Sequence, residues 1–254
     1  MPPVGYSVTT VLAEIHIDAS KIVNLLLVGS RLHGTSLPSS DYDFLLVTSD
    51  DTTFPEGSKV ERDNLDVTIF SRSEYIAKLQ AGDDWQTIES LWLPSDVRWI
   101  FNEDFLPFYN HDLSKLRAAV SSIANKGHAY AKIMMTKQSN FHLGRKNLAH
   151  EIRNLRLGIQ IIDHGRIIDY TETKEVYEQI MAETSEDWSY YNERWGSVAM
   201  AHQKEFISKT PEKVKVAKPR KQRRKNEGGM QEGASHDSQV VSPSSSSSSS
   251  AVPI

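Results

Sequence analysis

The chain has 254 residues, contains no cysteine and carries a formal net charge of −4 at pH 7. The lack of cysteine excludes disulfides, thiolate metal sites and a cysteine nucleophile, so any metal must use oxygen or imidazole ligands. The longest apolar run, Ile22–Val28, is far shorter than the roughly 20 residues of a membrane helix, and the N-terminus lacks the apolar block of a secretory signal. We therefore expect an intracellular protein of the cytoplasm or nucleus that has no membrane partner.

The sequence pattern divides the chain into three parts. Short β-like runs dominate residues 1–110, segments of helical period fill residues 111–210, and residues 211–254 are rich in Lys, Arg, Gly and Ser. These patterns predict a mixed α+β domain, a helical domain and a disordered tail. The tail has eight Lys or Arg and four Asp or Glu, so its charge is +4 and that of residues 1–210 is −8. Its basic run, Lys213–Lys225, is a nucleic-acid contact, a nuclear-import signal or only a solubilising segment.

Three strands and two helices are predicted in the first part. Buried strands are indicated by the apolar runs Ile22–Val28, Tyr42–Val47 and Leu65–Phe70. Ser71 and Glu74 have the spacing of a capping box, which predicts a helix that ends at Gly82. A further helix is expected from about Asp84 to Leu93, where Pro94 stops it.

Longer helices are predicted in the second part. One has its apolar residues on a single stripe, namely Leu113, Leu116, Val120, Ile123, Tyr130 and Met134. A second helix ends at His164-Gly165 and has a stripe of Leu148, Ile152, Leu155, Ile159 and Ile162. Weaker patterns predict helices over Glu175–Met181 and Trp188–Ile207. On the polar face of the second helix, Lys146, His150 and Arg153 follow i, i+4, i+7 spacing and therefore share one face.

Asp41 and Asp43 form the pattern that carries chemistry. Side chains alternate along a strand, so both carboxylates would project from one face of the second strand while Tyr42 packs on the other. Two adjacent carboxylates repel each other unless a cation neutralises them, and Mg²⁺ is commonly bound by a few carboxylates together with phosphates and water. Asp-x-Asp also occurs on solvated loops, in glycosyltransferases and in aspartyl phosphatases. The phosphatase pattern fits poorly, because Ser39-Ser40 rather than an apolar strand precedes Asp41.

A small-residue turn lies between the first strand and these carboxylates. Gly29 permits a tight turn and a close approach of the backbone, and Ser30 offers a hydroxyl and a backbone N–H to phosphate oxygens. Together with the carboxylates downstream, this turn predicts a binding site for a triphosphate.

The order of apolar strand, Gly29-Ser30, spacer and Asp41-Tyr42-Asp43 resembles the signature of the DNA polymerase β nucleotidyltransferase superfamily. The fuller form, Gly29-Ser30-Arg31 with Gly34-Thr35, is similar to a narrower branch of predicted nucleotidyltransferases associated with bacterial RNA repair. The segment Lys146–Arg153 looks like the Lys, His, Arg helix of that branch. The resemblance therefore covers roughly residues 20–170.

The resemblance implies a polymerase β-type sheet with flanking helices, followed by a helical domain. It implies Asp41, Asp43 and Asp66 as catalytic and metal-binding carboxylates, with Asp63 as a competing candidate for the third position. Residues implied in nucleotide binding are Gly29, Ser30, Arg31, Lys146, His150 and Arg153. The implied cofactor is Mg²⁺, with Mn²⁺ as a substitute, in a two-metal mechanism, and the implied donor is an NTP, with ATP preferred.

The implied reaction is transfer of an NMP from an NTP to a hydroxyl acceptor, with release of pyrophosphate. An RNA end is the preferred acceptor, because of the RNA-repair branch and the basic tail. Protein AMPylation and nucleotidylation of a small molecule are the catalytic alternatives. A nucleotide-binding or RNA-binding scaffold without turnover is the non-enzymatic alternative.

Overall fold

The three strands predicted from apolar runs are present and form the middle of a mixed sheet. The computed structural model describes residues 7–52, 58–62 and 64–211, all within one compact unit, Met1–Val214. Asp63 and the predicted tail beyond Pro211 lie outside the described residues. In this part of the chain the strands are β1 Ile22–Val28, β2 Tyr42–Thr48, β3 Lys59–Arg62, β4 Leu65–Ser71 and β5 Arg98–Phe101.

The strands are ordered β3-β4-β2-β1-β5 across the sheet. β2 and β4 are parallel, whereas β1 is antiparallel to β2 and β5, and β3 is antiparallel to β4. The central strands β1, β2 and β4 are largely buried, which explains their nearly continuous apolar sequences. The edge strands β3 and β5 have only half-buried or exposed side chains, and the sequence pattern does not predict them.

Four helices of the described residues accompany the sheet: α1 Val8–Ile15, α2 Gly29–Leu32, α3 Arg72–Ala81 and α4 Trp85–Glu89. α3 begins as predicted, because the Ser71 hydroxyl accepts a hydrogen bond from the Glu74 backbone N–H at 3.2 Å. It also ends as predicted, at Gly82, where φ is +69°. α4 is shorter than the predicted helix, since the chain tightens into a 3₁₀ turn over Ser90–Trp92 before Pro94.

The second half of the described chain is helical: α5 Leu113–Lys137, α6 Phe141–His164, α7 Lys174–Ala182, α8 Trp188–Tyr191 and α9 Ser197–Ser208. A π-helical turn, Asn192–Gly196, joins α8 to α9. Small residues let α5 and α6 approach each other. A Cβ atom added at Gly127 would lie 3.3 Å from the carbonyl oxygen of Asn147. The predicted apolar stripe of α6 is buried, except for the partly buried Ile162.

The predicted stripe of α5 is correct at Leu116, Val120 and Met134 but wrong at Tyr130, which is 46% exposed. Beyond Gly127 the buried face of the helix passes to Ala131 and Met135, which pack with residues of α6. Tyr130 lies one residue earlier, about 100° away from Ala131 around the helix, and therefore faces outward.

Apolar packing connects the sheet with the helices. One buried cluster combines β1, β2 and β4 with the first half of α5 and the second half of α6. A second cluster lies among the other halves of these two helices and the segments α7 to α9. The predicted α+β class, with helices flanking the sheet and a helical region after it, is confirmed, whereas a domain boundary near residue 110 stays a prediction. No helix in the described part of the chain is both long and apolar enough to cross a membrane.

Candidate active site

Asp43 and Asp66 are neighbours on the parallel strands β2 and β4. They are directly paired in the register of the two strands, so their side chains point to the same face of the sheet. Both side chains are half-buried and line one cavity of about 340 Å³, which we call the carboxylate cavity. Asp41 precedes β2, is exposed, and is not part of the cavity wall. The structure thus brings two of the three predicted carboxylates together inside the cavity and leaves the third outside it.

The environment of Asp43 disfavours its negative charge. Burial raises the pKa of the Asp43 carboxyl, and the charges of Asp66 and Asp41 raise it further. The positive charge of Lys146 and the backbone N–H of Ser30 act in the opposite direction without cancelling the rise. A cation beside Asp43 would therefore stabilise the ionised form of this carboxyl group.

A divalent cation fits this donor set in part. Asp43 and Asp66 supply carboxylate oxygens, the ligands that Mg²⁺ prefers, and Mg²⁺ usually completes its shell with water and substrate phosphates. Within residues 7–52, 58–62 and 64–211, however, no three Asp, Glu or His side chains are close enough to form a metal cluster by themselves. The metal assignment of Asp41, Asp43 and Asp66 therefore stays a prediction, in which substrate phosphates provide the remaining ligands.

Lys59 supplies a positive charge beside Asp66. Its Nζ lies 2.6 Å from Asp66 Oδ2 and 2.6 Å from Glu61 Oε1, and these interactions raise the pKa of the ammonium. Lys59 lies on β3 and lines the carboxylate cavity. Lys59 is not indicated by the sequence pattern, because β3 is not predicted and its pairing with β4 is a tertiary contact.

Gly29 and Ser30 form the tight turn that follows β1 directly and are the first two residues of the short helix α2; both line the carboxylate cavity. Gly29 has φ +66°, a conformation that other residues adopt at a cost. A Cβ atom at this position would overlap the Asp43 carboxylate and lie 2.7 Å from Asp43 Cβ. Glycine is thus required both by the backbone and by the close approach of the turn to the carboxylate.

Lys146, His150 and Arg153 extend from α6 into the wall of the same cavity. The structure therefore brings together the predicted cationic face and the predicted carboxylates, which are about a hundred residues apart in sequence. Neither Lys146 nor Arg153 has an ion pair among the described residues, and buried Arg153 Nε has no hydrogen-bond partner there. Burial, together with the charges of Arg153 and Lys146, lowers the pKa of His150 well below its usual value, so this imidazole is neutral at pH 7.

Arg31 is directed away from the cavity. Its guanidinium carbon lies 3.7 Å from the centre of the Tyr42 ring, and Nη2 donates a hydrogen bond to the Ser40 carbonyl oxygen at 2.7 Å. These contacts hold the loop between α2 and β2 against the sheet. The nucleotide contact predicted for Arg31 stays a prediction.

Other residues of the cavity wall are not among the predicted site residues. Thr68 follows Asp66 at i+2 on β4, so strand alternation was the signal that places it on the same face. His33 is buried, with Nε2 3.1 Å from Glu89 Oε1 and Nδ1–H donating to the Tyr170 carbonyl oxygen at 3.0 Å. His33 thereby connects the loop after α2 with α4 and with the segment before α7. No sequence pattern indicates that Glu89, on α4, points toward the cavity.

Two solved structures show a remote likeness to this chain. A spectinomycin adenyltransferase, AAD(9), from Enterococcus faecialis, solved with ATP and spectinomycin, has 15% identity and a TM-score of 0.41 over 74% of this chain and 93% of that one. A nucleotidyltransferase-like protein from Exiguobacterium sibiricum 255-15 has 12% identity and a TM-score of 0.30 over 80% of this chain and 73% of that one. No family model and no curated protein matches the sequence. We therefore infer the function from the residues of the site.

Proposed function

We propose that the protein is a metal-dependent nucleotidyltransferase that transfers an NMP from an NTP to a hydroxyl group and releases pyrophosphate. The carboxylate cavity is the observation that carries this proposal. One wall has the paired Asp43 and Asp66 beside the Gly29-Ser30 turn, and another has Lys146, His150 and Arg153. Carboxylates suit a divalent cation, and cations without ion pairs suit phosphate oxygens.

The residues of the cavity divide between two tasks. Asp43 and Asp66, with Asp41 just before β2, would hold Mg²⁺, which lowers the pKa of an attacking hydroxyl and stabilises charge on the phosphates when bound. Lys146 and Arg153 would bind the triphosphate oxygens and orient the chain of phosphates. Neutral His150 has one N–H to donate to a phosphate or ribose oxygen.

The bond changes are those of a displacement at phosphorus. The acceptor oxygen forms a bond to the α-phosphorus. At the same time the bond breaks between that phosphorus and the oxygen that joins it to the β-phosphorus. The acceptor proton passes to solvent or to a carboxylate, and pyrophosphate leaves with the bonding electron pair. Positive charge from Lys146 and Arg153 favours this departure.

An RNA end is the acceptor that we favour. Support comes from the resemblance of Gly29-Ser30-Arg31 and Lys146–Arg153 to the RNA-repair branch, and from the basic run Lys213–Lys225 in the sequence. Protein AMPylation and nucleotidylation of a small molecule use the same donor chemistry, and a scaffold would use the cavity for binding alone.

The acceptor is tested with four separate α-³²P-labelled NTPs, Mg²⁺ and either a mixed RNA pool, a cell lysate or no acceptor. Label on RNA that is absent from Asp43→Asn supports RNA-end transfer, with exposed Asp96→Asn as the matched control. Equal labelling with and without RNA contradicts the RNA acceptor, and label on lysate protein indicates AMPylation. Metal-independent RNA binding without pyrophosphate release favours the scaffold.

A further inference from the structure

A second cavity, which we call the helical cavity, adjoins the carboxylate cavity. It has a volume of about 780 Å³ and lies among α4, α5 and α6. Four residues line both cavities, namely Gln86, Glu89, His150 and Arg153. The two cavities are therefore adjacent, with these four side chains at their boundary.

The lining of the helical cavity suits a flat ring with polar edges. Trp85 and Tyr130 provide aromatic surfaces, and Ile123 and Ile133 provide aliphatic ones. The amides that can bond to the edge of a ring are Gln86, Asn147 and Asn154. Trp85 is fixed, because its Nε1–H donates to Asn154 Oδ1 at 3.2 Å, whereas Tyr130 is 46% exposed without a ring partner in the described part of the chain.

The charges around this cavity nearly cancel. Asp84 Oδ2 lies 3.4 Å from Lys78 Nζ, so these two charges offset each other. The other charged residues that line the cavity in the described part of the chain are two acids, Asp83 and Glu89, and two bases, Lys126 and Arg153. The lining therefore offers a strongly charged ligand no net charge of opposite sign, whereas it suits an uncharged planar heterocycle.

We propose that the helical cavity binds a nucleobase and that Tyr130 is its stacking surface. This inference rests on the proposed function, since the sugar and phosphate of the same nucleotide would then reach the carboxylate cavity past Glu89, His150 and Arg153. The ring comes either from the donor NTP or from the terminal nucleotide of an RNA acceptor. Both sources present the same chemistry, an aromatic face and amide-like hydrogen-bonding edges.

The test compares Tyr130→Ala with Phe101→Ala, which removes an aromatic ring of similar exposure on β5, outside both cavities. The probes are the four NTPs, inorganic triphosphate, and a ten-nucleotide RNA with either an ordinary or an abasic 3′-terminal nucleotide. Binding is measured by isothermal titration with Ca²⁺ in place of Mg²⁺. Tyr130→Ala should weaken binding of the probe whose base occupies the cavity by about five- to 150-fold. Tyr130→Phe should restore it, and Phe101→Ala should bind like the wild type.

The probes distinguish the two sources of the ring. Weaker NTP binding with unchanged triphosphate binding assigns the cavity to the donor base. Weaker binding of the ordinary RNA with unchanged binding of the abasic RNA assigns it to the acceptor base. Unchanged affinity of Tyr130→Ala for all NTPs and both RNAs would overturn the inference. Tyr130-dependent binding without transfer in any reaction would keep the inference and reject the proposed function.

Discussion

Asp43 lies directly opposite Asp66 in the parallel pairing of β2 and β4. This register places two carboxylates side by side on one face of the sheet, where Gly29 leaves no space between the turn and the Asp43 side chain. The fold thus maintains an unfavourable concentration of negative charge at the wall of a cavity whose other wall carries Lys146 and Arg153. Such an arrangement costs stability in the metal-free protein, and binding of the proposed divalent cation and phosphates would compensate for this cost.

Asp43→Asn should abolish transfer and stabilise the metal-free protein. The pKa of Asp43 is raised, so the folded protein loses stability as the pH rises through that pKa, and the neutral amide removes this loss. We expect activity to fall at least about 100-fold. We expect the variant to gain somewhat under about 1 kcal/mol of unfolding free energy without metal. In a protein of this size, such a gain raises the melting temperature by about 2 °C. Calorimetry at pH 7 with EDTA checks the second effect, and a lower melting temperature would contradict the repulsion between Asp43 and Asp66.

Gly29→Ala should inactivate the protein through a local overlap. Gly165→Ala is the matched control, because Gly165 has φ +71° but a Cβ atom there meets nothing within 4 Å. Both variants should lose roughly 1–2 kcal/mol of unfolding free energy from the left-handed backbone. Only Gly29→Ala should displace the Asp43 carboxylate and lose nucleotidyl transfer. Equal activity of the two variants would show that the turn does not need its close approach to Asp43.

Lys59→Met should increase the affinity for a divalent cation. The Lys59 ammonium contacts Asp66 and therefore competes with a metal ion for that carboxylate. Because the lysine is half-exposed, we expect Mn²⁺ to bind only about two- to fivefold more tightly in isothermal titration without nucleotide. Lys21→Met is the control, since Lys21 pairs with Asp51 at similar exposure, away from the cavity. Weaker Mn²⁺ binding by Lys59→Met would contradict this competition and would show that Lys59 helps to position Asp66 for metal binding.

The His150→Gln variant should lose less unfolding free energy than the wild type when the pH falls from 7 to 5. Folding lowers the pKa of His150 below 6.5. The free energy of unfolding therefore does not depend on this histidine's titration above that pH, and it decreases as the pH falls below it. In this range the unfolded chain binds a proton that the folded protein excludes. The slope from one such histidine is at most about 1.4 kcal/mol per pH unit. Urea unfolding between pH 7 and pH 5 measures it, with exposed His142→Gln on the same helix as control. Parallel pH profiles for wild type and His150→Gln would contradict a half-buried imidazole that is neutral in the folded protein.

The sequence predicts those parts of the fold that depend on local pattern. The buried strands β1, β2 and β4 have continuous apolar runs, and α3 has a capping box and a terminal glycine. β3 and β5 escape prediction, because short edge strands are specified mainly by the strands beside them. Spacing places Lys146, His150 and Arg153 on one helix face, but only tertiary packing turns that face toward Asp43. For the same reason Lys59 and Glu89 were missed, and Arg31 packs on Tyr42 instead of lining the cavity.

Nucleotidyl transfer differs from phosphate transfer and from NTP hydrolysis in which phosphorus–oxygen bond of the donor nucleotide breaks, and this bond can be identified by labelling. Purified protein with Mg²⁺ and acceptor is given ATP, or another NTP that supports transfer, labelled in parallel reactions at the α- or the γ-phosphate. A nucleotidyltransferase should place the α label on the acceptor and the γ label in pyrophosphate, and Asp43→Asn should do neither. Release of the γ label as inorganic phosphate, or transfer of the γ label to the acceptor, would contradict the proposed nucleotidyl transfer.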